Sequence, residues 1–159
     1  VTRVVVAPPV LAFLPQYAGR EDPVPEVRAA ALAAVAWLGA DVTVVADEQG
    51  RRVAEHLLAS TARTGDEPSY LLMANGSARR TDESPGPYDE RAVPFDDAVR
   101  AWLLEGSARP DLGLGEELWA TTAPLERLDG LGRRGAAQVD YDEAPLGVQY
   151  WVVRWTCDS

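Results

Sequence analysis

Short apolar runs alternate with stretches of helical spacing through the first half of the chain, and this alternation predicts most of the fold. Val4 to Val10 is a nearly unbroken apolar run that carries Pro8 and Pro9. It reads as a buried parallel strand whose backbone pairing is stopped by the prolines. After an irregular stretch to Pro25, residues Val27, Ala30, Ala31, Ala34, Val35 and Leu38 recur at helical spacing, with Gly39 placed to cap the helix at its C-terminus. Asp41 to Ala46 has strand composition. Arg51 to Ser60 reads as a helix preceded by Asp47, Glu48 and Gln49, the first two being acids placed where the macrodipole favours them. Ser69 to Ala74 is a third strand.

Strand, helix, strand, helix, strand argues for a parallel sheet with right-handed crossovers. The texture then changes. Asn75 to Glu90, rich in Gly, Ser and Pro, reads as a long ordered loop leaving the carboxyl end of the third strand, and loops of that length are more often functional than not. A helix is expected from Val93 to Leu104, and a second helical region from Glu116 to Arg133, broken near Pro124. Ala137 to Tyr141 and Val148 to Trp155 complete the pattern as an antiparallel pair. The fold class is therefore α/β: one domain over residues 1–159, a mostly parallel sheet with helices on both faces, and an antiparallel C-terminal strand pair.

Composition narrows the function classes. The 159 residues suffice for a core without disulfides, and the single Cys157 has no partner within the chain. A net charge of −10 argues against nucleic acid and anionic membrane surfaces as partners. No apolar stretch approaches the roughly 18 residues of a membrane span, so the expected location is cytoplasmic. All 15 basic residues are Arg, which removes Schiff-base chemistry and a phosphate-loop lysine. His56 is the one histidine, and its helical context lacks the second His of a zinc motif. No cofactor is expected.

Chemistry is sought first where the third strand ends, because ligands of open α/β sheets gather outside the carboxyl ends of strands. There Asn75, Gly76, Ser77, Arg79 and Arg80, with Tyr88 farther along the loop, form the candidate ligand-binding set. Gly76 allows close backbone approach, Ser77 offers a hydroxyl, and the two guanidiniums can fork onto a carboxylate or phosphate. The competing reading is that Arg79 and Arg80 pair with Asp82, Glu83, Asp89 or Glu90 to shape the loop. Asp96 and Asp97 are assigned to the solvated start of a helix, and the five Trp residues mainly to the core.

Gly76-Ser77-Ala78-Arg79-Arg80, Ser84 to Ala92 with Pro94-Phe95-Asp96, and Tyr141 to Val148 together resemble the C-terminal half of a group of actinobacterial proteins. That group is classed with the class III extradiol ring-opening dioxygenases, the LigB-type superfamily. Ala7-Pro8-Pro9-Val10-Leu11, with Pro15 and Ala18-Gly19, is similar to that family's opening strand and loop. The resemblance implies a scaffold that is often oligomeric, so a homo-oligomer is an expected state. It also implies a metal-binding His immediately before Pro-Pro, where this chain has Ala7, and a second His in a middle region that this shorter chain is expected to lack. Non-haem Fe(II) oxygenation takes two His and one carboxylate. The expectation is a metal-free relative without catalytic residues that binds a small anionic or aromatic ligand or serves in an assembly. The alternative is an enzyme acting on an aromatic or carboxylate-bearing molecule, through an interface metal site or acid–base chemistry around Arg79 and Arg80.

Overall fold

The computed structural model describes every residue except Ala18, Arg20 and Ser159. Ala18, one of the residues of the opening-loop likeness, lies outside the described residues. Strand β1 spans Thr2–Ala7 and stops at Pro8 because two consecutive prolines offer no N–H to a neighbour. Val10 thus leaves the strand and leads into short 3₁₀ turns at Leu11–Phe13 and Pro15–Tyr17. Helix α1 (Pro25–Trp37) starts on a proline whose fixed φ suits the first turn. It ends at Trp37, with Leu38 as cap at φ −66°.

Gly39 is not the left-handed cap expected of it; space is its reason for being glycine. A Cβ there would collide with the Glu67 carbonyl oxygen, and the Gly39 N–H donates to Ser69 Oγ at 2.8 Å. Strand β2 (Val42–Val45) leads into α2 (Glu48–Ala59), where Asp47 is the N-cap and accepts from the Gly50 N–H at 2.7 Å. Strand β3 spans Ser69–Met73 and helix α3 spans Ala92–Glu105. Gly106, at φ +71°, closes α3 in the left-handed conformation.

The long helical region expected over residues 116–133 is instead a single turn, α4 (Leu114–Glu117), and a 3₁₀ helix at Ala123–Gly130. Trp119 breaks it, holding the left-handed φ of +56° between the two pieces, and Pro124 starts the second. Strands β4 (Arg133–Arg134), β5 (Gln138–Glu143) and β6 (Tyr150–Asp158) follow.

The sheet runs β2-β3-β1-β6, with β4 and β5 end to end along the outer side of β6. β1, β2 and β3 are parallel; β6 alone runs against the rest. Alternation along β1 divides the core. Val5 and Ala7 face α1, α2 and the first 3₁₀ turn, whereas Val4 and Val6 face α3 and the segments that follow it. Trp151 and Trp155, an even number of residues apart on β6, both join the second face. Helices thus cover both faces of one sheet. No helix among the described residues is long and apolar enough to cross a membrane.

This winding positions a site. The chain leaves β1 toward the α1 face and leaves β3, its hydrogen-bonded neighbour, toward the α3 face. Adjacent parallel strands whose connections part in this way open a crevice at their carboxyl ends.

Candidate functional site

The loop after β3 is tied at nearly every residue. Asn75 exchanges backbone hydrogen bonds with Thr121, both at 3.0 Å, and its Nδ2 donates to the Gly76 carbonyl. The Gly76 N–H donates to the Gln149 carbonyl at 2.8 Å. Ser77 is fully buried; its N–H donates to Asp96 Oδ1 at 2.9 Å and its hydroxyl to the Leu118 carbonyl at 2.6 Å. Arg79 spends Nε on the Pro87 carbonyl at 2.7 Å and Nη1 on the Glu117 carbonyl at 2.8 Å, with Asp89 at 3.7 Å. Arg80 Nη1 meets Asp96 Oδ2 at 2.6 Å. Tyr88 is exposed. The structure brings Asn75 to Arg80 together as the frame of the loop, joined to Tyr88 through the turn at Gly86.

Two aspartates and a serine organise this frame. Asp96 is not at a solvated helix start: it is 2% exposed and takes both Ser77 and Arg80. Burial pushes its carboxyl up to about 6, against the lowering influence of Ser77 and Arg80. Gly76 exists for this contact, since a Cβ there would stand 2.6 Å from Asp96 Oδ1. Ser84 Oγ donates to the Gly147 carbonyl at 2.7 Å and accepts from the Arg80 and Thr81 N–H groups, tying the loop to the β5–β6 turn. Hydrogen bonds from Arg91 hold the Asp89 carboxyl well below the usual range. Of the acids weighed as partners, Asp89 stands beside Arg79, whereas Arg80 goes to Asp96.

Space for a ligand lies next to this frame. A cleft of about 570 Å³ opens beyond the carboxyl end of β2. Val45, Ala46, Leu112 and Pro124 supply apolar wall, and Asp47, Glu116 and Thr121 supply acceptors. Thr121 is the residue bridged to Asn75, so the loop frame forms one shoulder of the cleft. No Arg is among the lining residues.

The donors required for ring-opening iron do not come together. Ala7, at the position where the resemblance puts a metal-binding His, is fully buried at the end of β1 beside Met73. His56 is in the last turn of α2, which starts at the carboxyl end of β2 and runs back toward the other end of the sheet. Among the described residues no group of three His, Cys, Asp or Glu side chains is placed to hold a metal ion. The acids of the tail are engaged elsewhere: Asp140 with Arg154 at 2.7 Å and Asp142 with Arg100 at 2.5 Å. Burial raises the Cys157 thiol pKa, which keeps it protonated and unreactive.

Comparison with protein-family models, curated proteins and solved structures finds no match.

Sequence reasoning passed over three residues. Gln149 reaches Asp142 at 2.9 Å through Nε2 while its carbonyl holds Gly76, and nothing in its local pattern marks it. Trp119, grouped with the core tryptophans, is 53% exposed and its indole lies over Gly86, where a Cβ would meet the ring at 2.8 Å. Arg134 stands between two indoles far along the chain from either motif.

Proposed function

We propose that the chain is a non-catalytic relative of the extradiol-dioxygenase-like group, a binding module that takes a small molecule in the cleft at the carboxyl end of its sheet. One observation carries this reading: a ligand-sized cleft lies beyond the carboxyl end of β2 in an open α/β sheet, the end at which such sites form. The cleft walls favour a molecule with an apolar or aromatic body and hydroxyl or amine donors, because the wall side chains offer acceptors and no cation. The guanidiniums of Arg79 and Arg80 are committed to the loop, which removes the support for acid–base chemistry around them.

Catechol is the probe that separates the two parts of the proposal. Titrated into isotope-labelled protein, it is expected to move the amide resonances of Asp47, Leu112, Thr121 and Ala123. Incubated with ferrous iron and air, it is expected to give no ring-opened product. Turnover with stoichiometric bound iron overturns the non-catalytic reading. Absence of saturable shifts at those amides overturns the cleft as the site for an aromatic diol.

A further inference from the structure

Three acids and no base line the cleft beyond β2. They come from three segments: Asp47 from the turn between β2 and α2, Glu116 from α4, and Glu126 from the 3₁₀ helix at Ala123–Gly130. All three are exposed, so their carboxylates are open to a molecule in the cleft.

Ion pairing leaves most of this charge unbalanced. Among the described residues neither Asp47 nor Glu116 stands in an ion pair. Glu126 has Arg109 Nη2 at 3.5 Å, but the same guanidinium gives Nη1 to Asp129, which is not part of the cleft wall. A bare N-terminus of α2 would draw an anion into this space. Asp47 instead caps it, accepting from the Gly50 N–H, and puts negative charge there.

The walls decide which cation fits. Val45, Ala46, Leu112 and Pro124 offer apolar surface to the body of a ligand. No aromatic ring lines the space, so a quaternary ammonium finds no cation–π cage and has no N–H for the carboxylates. A protonated primary amine brings three donors for charge-assisted hydrogen bonds to them.

Resting on the reading of this cleft as the ligand site, we propose that its preferred ligand is a protonated primary amine with a small apolar or aromatic body. Asp47 and Glu116 supply the charge that selects the ammonium, and Leu112 and Pro124 carry the body. A carboxylate-bearing molecule of the same size meets like charge.

Benzylamine, benzyl alcohol, benzoate and benzyltrimethylammonium share one ring and differ in the group it carries. Each is titrated into labelled protein and followed at the amides of Asp47, Leu112, Thr121 and Ala123. Benzylamine is expected to bind about fivefold or more tightly than benzyl alcohol, the worth of two exposed ion pairs, and to lose that advantage as salt is added. Benzyltrimethylammonium is expected to bind more weakly than benzylamine, and benzoate most weakly of the four. Asp47→Asn combined with Glu116→Gln keeps the shape and the cap, since Asn caps a helix as well as Asp does, and is expected to abolish the advantage. Asp41→Asn combined with Asp66→Asn removes the same charge at the opposite end of the sheet and is expected to keep it.

Saturable binding of benzyl alcohol with benzylamine no tighter overturns the amine preference and leaves the cleft as a ligand site. An advantage that survives Asp47→Asn with Glu116→Gln, or that falls equally in Asp41→Asn with Asp66→Asn, also overturns it, because the net charge of the chain would then be its source. A quaternary ligand as tight as benzylamine overturns the requirement for N–H donors. No saturable shift with any of the four, or with catechol, overturns the cleft reading and this proposal together. Should the variant at Asp47 and Glu116 fail to fold, the order of the four ligands on the parent protein and its salt dependence decide alone.

Discussion

Replacing Asp96 by Asn tests whether burial or pairing governs the centre of the loop. Asp96 is 2% exposed, accepts from the Ser77 N–H and meets Arg80 at 2.6 Å, yet its carboxyl is pushed up to about 6. In the unfolded chain it titrates near 3.8. The folded protein therefore keeps this proton to higher pH than the unfolded chain does. Stability contributed by Asp96 is fully present well below 3.8, falls as pH rises through 6, and levels off about one unit above that. The gap corresponds to about 3 kcal/mol, at ~1.4 kcal/mol per tenfold.

Asn keeps the shape and never ionises, so the stability of the parent minus that of Asp96→Asn isolates this group from the acids that titrate alongside it. Urea unfolding followed by tryptophan fluorescence across this pH range gives both curves. The difference is expected to fall by about 2 kcal/mol between pH 4 and pH 6, part of a total of about 3 kcal/mol, and to level off about one pH unit above 6. A difference that rises with pH would refute the reasoning, because it would mean that Arg80 and Ser77 hold the carboxylate more firmly than burial opposes it. A flat difference would refute it equally.

Three further outcomes follow from the same contacts. Gly76→Ala forces a methyl to 2.6 Å from Asp96 Oδ1 and 2.7 Å from the Gln149 Cβ, and is expected to cost ~1–3 kcal/mol of unfolding free energy by denaturant titration. Gly147→Ala adds left-handed strain at φ +75° to a clash with the Ser84 Cα at 2.8 Å; a loss of about 2 kcal/mol or more is expected, read as a lower thermal midpoint. Ser84→Ala leaves the Arg80 and Thr81 N–H groups without their shared acceptor, so limited proteolysis within residues 79–90 is expected to become faster while the far-ultraviolet dichroism stays that of the parent.

The strands and helices of the first half were legible because each carries its own period: the β-branched run of β1, the Ala-rich face of α1 and the Asp47 cap of α2 are local signals. The second half was legible only in part. The turn at Trp119 depends on a left-handed residue that no propensity favours, and it is held by the packing of the indole over Gly86 and by the hydrogen bond from the Ala78 N–H to the Trp119 carbonyl. The burial of Asp96 depends on Gly76, twenty positions away, presenting no side chain, a pairing that only the folded chain reveals.

The loop residues show the same division. Glycine, serine and two arginines after a strand are a sound description of a binding loop, and equally of a loop that binds itself. Sequence spacing cannot separate the two, because the deciding partners are backbone carbonyls at Pro87, Glu117 and Leu118 and one carboxylate on α3. The guanidinium that packs between two indoles is instead Arg134, in a two-residue strand with no motif around it. A guanidinium already bonded within the loop meets an incoming carboxylate only by giving up one of those bonds, which works against ligand recognition at the pair that the sequence displays.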